Sequence, residues 1–308
     1  MTRAITRMGP VAVPRVAART GSLAFPVPKP SWRRVAVATY AGINIALALT
    51  LIRTVPVGPD WEQFSALRDG LTSGGLYELS TQTPYIYSPL AAPLLAAATM
   101  LGFGPWALLH VAVLALLRRP LLIGLVACSW AFWTDVATGN TLTFSFVAGV
   151  LALHGSRSGA IAYLALVMLI PRPVLFPLAA WLLWRRRDLR LPALWLCVAN
   201  VALVFASGYA GAWVGAVASY ADAPQYDIGP TMWLGTAWLV VGVPVGVWLT
   251  IRGQTGWAGL AVAPYTIPQY FLFPLWELGR TASEADQTSA GSRAESRISS
   301  SADATRST

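Results

Sequence analysis

Apolar residues fall in long blocks along the chain, separated by short breaks that carry glycine, proline, arginine or a few polar side chains. The blocks lie at roughly 35–54, 87–102, 105–117, 120–134, 141–153, 158–170, 174–184, 191–208 and 231–251, with a broken pair within 256–279. Several approach the ~20 residues that carry a helix across a bilayer, so the pattern predicts an all-α, polytopic transmembrane bundle of about ten or eleven spans. Residues 58–90, "GPDWEQFSALRDGLTSGGLYELSTQTPYIYSPL", break the pattern and hold four of the chain's 13 acids. Within them Trp61, Phe64, Ala66 and Leu67 recur at helical spacing, which predicts an amphipathic helix over 60–70 lying on the membrane surface. Gly74-Gly75 then ends it, and "PYIYSPL" returns the chain to the bilayer. No half of the sequence repeats the other.

Composition agrees with this reading. Of 308 residues, 56% are hydrophobic and 11% charged, with a mean hydropathy of +0.56. Ordinary soluble domains carry about 25% charged residues. The net charge of +9 does not point to nucleic acid, because the arginines cluster at the ends of apolar blocks and mark no single basic face. They read as topology signals. Residues 1–34 hold seven basic residues and no acid, predicting a disordered cytoplasmic tail, too long and polar ahead of its first apolar run for a signal peptide. Residues 281–308, rich in Ser, Thr and Ala, predict a disordered polar tail. Between the tails, 35–280 form one transmembrane domain.

With the amino terminus inside, the loop 55–86 lies outside. The cluster "RRRDLR" at 185–190 and "HGSRSG" at 154–159 fall inside, and the turns at Gly139-Asn140, Pro171-Arg172-Pro173, 209–228 and "APYTIPQY" fall outside. This alternation needs an odd number of crossings between 87 and 117, where two short blocks occur. Either "LGFGPW" kinks one long helix or one block does not cross.

Candidate chemistry gathers on the outer turns. Asp60, beside the first span, is placed to act as a general base if it faces a desolvated cleft. It reads otherwise as a solvated acid favoured by a helix amino terminus. Glu62 is two residues on, so the two carboxylates point to different faces of one helix and predict no shared metal. Arg172 either binds an anion or snorkels to headgroups. Tyr85, Tyr87, Tyr265 and Tyr270 suit sugar stacking or an interfacial aromatic belt. Asp135 is a possible further polar group facing a cavity. The loop at 209–228, with Trp213, Tyr220, Asp222 and Asp227, either covers an acceptor or is a passive interfacial helix. His110, inside an apolar run, and His154 form no metal pattern. No phosphate-binding glycine loop occurs, and Cys128 and Cys197 read as core packing.

These turns carry a resemblance. Asp60 with Phe64, "GGLY" at 74–77 and "YIYSPL" resemble the first external loop of glycosyltransferase family 87, the polyprenyl-phosphate-mannose-dependent mannosyltransferases of the GT-C class. "TGNTLTF" at 138–144 resembles that family's Gly-Gln turn, "IPRPVLFPLAAWLLWRRRD" its Lys-Pro segment with following helix and basic cluster, and "APYTIPQYFLFPL" its late Ser-Pro-x-x-Trp-x-His-Tyr stretch. The match covers about residues 35–279. Arg172 stands where the family has Lys, Asn140 where it has Gln, and Gln269 where it has His.

The resemblance implies an inverting transfer of a sugar, commonly mannose, from a polyprenyl-phosphate donor to a glycan or glycolipid acceptor outside the cytoplasmic membrane. Asp60 would be the base and Arg172 would hold the donor phosphate, while Glu62, Tyr85, Tyr87, Asn140, Tyr265, Gln269 and Tyr270 would line the substrate site. The spacing of the acids and histidines predicts no metal and no cofactor, and the resemblance implies as partners the membrane lipids, the lipid-linked donor and the acceptor. A transporter or flippase of a lipid-linked substrate, or an inactive scaffold with the same fold, would also gather polar groups in a membrane cleft.

Overall fold

The computed structural model describes residues 58–79, 81, 85–222 and 227–277, together with the helical positions Thr39, Gly42, Ile43 and Ala46. Both predicted tails and most of the first predicted span lie outside the described residues. Thirteen α-helices follow one another from residue 59, and no strand occurs among the described residues: α1 (Pro59–Ser73), α2 (Ala91–Thr99), α3 (Phe103–Leu114), α4 (Pro120–Ala127), α5 (Trp130–Thr138), α6 (Leu142–Leu153), α7 (Arg157–Leu169), α8 (Phe176–Arg185), α9 (Arg190–Ala206), α10 (Ala210–Asp222), α11 (Thr231–Leu234), α12 (Trp238–Ile251) and α13 (Thr255–Val262).

Among the described residues two helical stretches, Arg187–Ala206 and Thr231–Ile251, are long and apolar enough to cross a membrane, and only 17% and 11% of their apolar windows are buried within the protein. Trp195 and Phe205 on the first, and Val240 and Ile251 on the second, project outward. Such contiguous apolar surface is rare on soluble monomers. Two bent pairs, Ala91–Thr99 with Phe103–Leu117 at 112° and Pro120–Ala127 with Trp130–Thr138 at 66°, raise the count to four if each pair is one span. The apolar helices Leu142–Leu153, Arg157–Leu169, Pro173–Arg185 and Ala210–Ser219 are shorter.

The predicted surface helix is α1. Pro59 sits in its first turn, where a missing N–H costs nothing, and Gly74 ends it in the left-handed region at φ 80°. Its buried positions are Pro59, Asp60, Gln63, Phe64, Leu67 and Gly70, so the stripe facing the protein carries a carboxylate and an amide along with the expected apolar residues. Helix α2 packs along α1. Its approach is pinned by the bond from Ser88 N–H to Leu169 O at 3.0 Å, and just beyond its exit Phe103 meets the Trp61 ring at 5.7 Å. Both ends of α2 therefore lie at one end of the bundle, the Asp60 end. At the opposite end Arg186 donates to the carbonyls of Gly155 and Ser156 at 3.3 and 3.4 Å.

Between these ends α6 packs on α7, α7 on α9, and α12 on α13, which in turn packs on α8. Gly242 and Gly246 of α12 form a small-xxx-small pair: a Cβ at either would run into Ala261 or Val262 of α13. Such pairs let helix backbones approach closely where no hydrophobic effect separates helix from lipid. Two cores result. One runs from Leu114 to Trp276, and a smaller one holds Phe64, Leu67, Tyr85, Tyr87, Ala92 and Trp106. The cysteines depart from expectation: Cys197 is exposed on the outward face of α9 and Cys128 is half-buried at the α4–α5 bend.

Candidate functional site

Buried polar side chains collect between α1 of the smaller core and the α5–α6 turn of the larger one. The turn is built from "TGNT". Helix α5 ends at Gly139 in the left-handed region, φ 77°, and Asn140 Oδ1 accepts from the Thr141 N–H at 2.6 Å. Onto this turn the entrance of α1 docks. The Gly58 N–H donates to Ala137 O at 2.7 Å, and a Cβ on Gly139 would stand 2.8 Å from the Trp61 Cβ. Only glycine allows this approach, and the approach brings Asp60 to the turn.

Asp60 is buried, and Thr138 and Asn140 donate side-chain hydrogen bonds to its carboxylate. Burial pushes the carboxyl up from its ordinary 3.8 to about 6, against the opposing pull of the Arg172 guanidinium and of those two hydrogen bonds, and the charge of Asp135 adds to the rise. A surface acid at a helix amino terminus would shift the other way. The solvated-acid reading of Asp60 therefore fails.

Arg172 precedes the 3₁₀ turn Pro173–Leu175 and is itself buried. Its Nη2 donates to the Tyr87 hydroxyl, and its guanidinium carbon lies 4.9 Å from the Tyr87 ring centroid. An arginine that snorkels to headgroups would be exposed, so that alternative fails as well. Gln269, in the 3₁₀ turn Pro268–Leu272, donates through Nε2 to Thr138 Oγ1 at 3.3 Å, and its buried Oε1 has no hydrogen-bond partner.

Asp60, Tyr87, Asn140, Arg172 and Gln269, scattered over some 210 positions of sequence, thus form one connected group. Glu62 does not join it. That side chain is exposed on α1, as expected for a position two residues from Asp60. Tyr85 is buried with its hydroxyl donated to Ser88 O at 2.8 Å, a bond that shapes the loop into α2. Tyr265 and Tyr270 lie 6.0 Å apart, ring to ring, in the larger core. All four tyrosines are buried within the protein, which an interfacial belt does not explain.

Sequence reading missed Thr138. It bridges Asp60 and Gln269, yet as the last helical residue before a glycine it carries no signal of its own. The 209–228 loop is tied down at both ends of its described part. Trp213 Nε1 donates to Ile86 O at 3.1 Å, and Asp227 Oδ1 accepts from the Gly229 and Thr266 N–H groups at 2.8 and 2.9 Å. Among the described residues no group of three or more His, Cys, Asp and Glu side chains comes together.

Chemically, the arrangement offers a base stronger than a surface carboxylate, a buried cation within electrostatic reach of it, and hydrogen-bonding side chains between them. No family model, curated protein or solved structure matches the chain.

Proposed function

We infer that the chain is a multi-pass membrane glycosyltransferase of the GT-C type, resembling family 87, that moves a sugar, with mannose the first candidate, from a polyprenyl-phosphate donor to an extracytoplasmic glycan or glycolipid. One observation carries this reading: a buried carboxyl lifted to about 6, bonded to Thr138 and Asn140, within electrostatic reach of the buried Arg172. Such a carboxyl is mostly ionised at neutral pH and is a better proton acceptor than an ordinary aspartate, as general-base catalysis requires.

In the reaction, Asp60 takes the proton of the acceptor hydroxyl as its oxygen attacks the anomeric carbon. The bond from that carbon to the phosphate oxygen breaks on the opposite face, the configuration inverts, and polyprenyl phosphate leaves. Arg172 stabilises the charge that develops on the leaving phosphate, offering a permanently charged fork of donors. Gln269 Oε1 is an acceptor for a sugar hydroxyl, and Tyr87 orients the guanidinium. No metal or cofactor is assigned a step.

The Asp60 end is extracytoplasmic in this account, with the arginine-rich turns cytoplasmic. Because α2 starts and ends on the Asp60 side, α3 is the single crossing between residues 87 and 117, which supplies the odd number that the charge pattern demands. The short helices α6, α7 and α8 complete the bundle, with α7 packed on α9 and α8 on α12. Asp60, Asp135 and Arg172 gather at one end, as a transferase working at the membrane surface needs, and the remaining buried carboxylate, Glu277, is held apart by the Gly256 N–H and Trp276 Nε1; a transport path would spread charges through its depth.

The test is sugar transfer by the purified full-length protein in lipid, with radiolabelled polyprenyl-phosphate mannose as donor and a membrane-lipid extract as acceptor. Label moving into the extract supports the reading. Donor left intact, with the label carried across the vesicle membrane, would replace it with transport.

A further inference from the structure

His110 on α3 and Asp135 on α5 are both fully buried, and no step above uses either. The imidazole sits between two backbone carbonyls. Nδ1 lies 2.9 Å from Trp106 O, one turn earlier, and Nε2 lies 2.7 Å from Asn140 O. A carbonyl oxygen only accepts, and a neutral imidazole has a single N–H. Whichever nitrogen held that proton, the other would turn its lone pair on a carbonyl at hydrogen-bonding distance. Rotating the ring by half a turn would set carbon atoms against both oxygens and forfeit both bonds. Two protons, one on each nitrogen, satisfy both acceptors.

The other neighbours have the same preference. Asp135 Oδ2 is 3.8 Å from Nε2, and the Phe144 and Trp106 rings stand at centroid distances of 4.7 and 5.3 Å, where aromatic faces favour a cation. Asp135 needs that cation. Its Oδ2 accepts from the Thr143 N–H and hydroxyl at 2.8 and 2.6 Å, while Oδ1 has no hydrogen-bond partner. Asp60 also lies within electrostatic reach of Asp135, so without His110 two buried carboxyls would face one another. Trp106 and His110, four residues apart on α3, donate to consecutive carbonyls: Trp106 Nε1 bonds Gly139 O at 3.0 Å and His110 bonds Asn140 O.

We propose that His110 is held as an imidazolium ion paired with Asp135, and that this buried pair is a positioning device that locks the Gly139-Asn140 turn beneath Asp60. The catalytic consequence rests on the glycosyl-transfer reading; the charge state and the clamp do not.

The charge state is tested on the full-length protein in lipid nanodiscs, labelled with ¹⁵N-histidine and carrying His154→Gln so that His110 is the one histidine left. At pH 7.5 both ring nitrogens are expected to carry protons. A bare nitrogen in the spectrum overturns the proposal. Pairing is tested by thermal unfolding of His110→Gln, Asp135→Asn and the double variant: each single change lowers the melting temperature, and the double variant recovers much of the loss. Additive losses overturn the pair.

In His110→Gln the acidic limb of the transfer rate against pH moves upward, because the charge of Asp135 then acts on Asp60 uncompensated. An unmoved limb in an active variant would reduce His110 to packing. If the wild type transfers no sugar while its spectrum gives the doubly protonated ring, the transferase reading fails and the clamp stands.

Discussion

The backbone N–H of Gly58 donates to the carbonyl of Ala137 across 2.7 Å, and this bond ties the entrance of the surface helix to the end of α5. Everything at the candidate site depends on that joint. Two residues after Gly58 comes Asp60, and one and three residues after Ala137 come Thr138 and Asn140, whose side chains donate to its carboxylate.

Replacing Asp60 with Asn is expected to abolish transfer while making the protein more stable at pH 7.5. Burial penalises the charged carboxylate, and a rise from 3.8 to about 6 corresponds to about 3 kcal/mol. Asparagine keeps an acceptor oxygen for Thr138 and Asn140 and carries no charge. Thermal unfolding in detergent checks the stability: a melting temperature below wild type would remove the desolvation argument.

The pH dependence follows with its sign. The folded carboxyl holds its proton up to about pH 6, and in the unfolded chain it releases it near 3.8. Between these values the folded state binds more protons, so this group's contribution to stability falls as pH rises through the window, and the cost is complete above about 6. Transfer has the opposite slope, because the base must be ionised, and the rate is expected to fall about tenfold per unit below that value. A rate profile flat down to pH 5 would exclude Asp60 as the base.

Gly139→Ala and Gly155→Ala make a matched pair. Both glycines have left-handed φ, 77° and 87°, but a Cβ at Gly155 meets open space whereas one at Gly139 meets Trp61 at 2.8 Å. The strained backbone alone costs about 1–2 kcal/mol, and overpacking adds about 1–3 kcal/mol. Gly139→Ala should therefore be the more destabilising and should also lose transfer, as Asp60 shifts. Equal losses in stability would mean that the joint yields.

Arg172→Ala should weaken binding of the polyprenyl-phosphate donor by on the order of tenfold to a hundredfold, the worth of a charged hydrogen bond. Arg172→Lys should fall between, since an ammonium keeps the charge and loses the fork. Tyr87→Phe keeps the ring beside the guanidinium and removes the hydroxyl it donates to, so it should cost less than Arg172→Ala. Fluorescence titration of a labelled donor ranks the three, and identical affinities would leave Arg172 a purely structural cation.

Much of this was legible in the sequence where period and punctuation carry the information. Helical spacing marked α1, Gly74 marked its end, and Gly139-Asn140 and Pro171-Arg172-Pro173 stood out as polar turns between apolar blocks. What spacing could not show was where a side chain points once the helix docks. Asp60 and Glu62 look alike in "PDWEQ", yet one is buried against a turn 78 to 80 residues away and the other is exposed. Thr138 carries no pattern, and its role exists only because α1 and the 268–272 turn meet there. His110 looked like an apolar-run histidine because its acceptors are backbone carbonyls, which every residue has. The bend between α2 and α3 was left open for a related reason: an apolar block such as 87–102 satisfies a surface helix and a half-span equally, and the packing of α2 on α1 is not written in its spacing.

The most direct measurement of the central claim is transfer of radiolabelled mannose from its polyprenyl-phosphate donor by wild type and Asp60→Asn side by side, at equal amounts of folded protein and with donor binding measured in both. The account predicts transfer by the wild type, none above background by the variant, and the same donor affinity in each. Undiminished turnover by Asp60→Asn would contradict it.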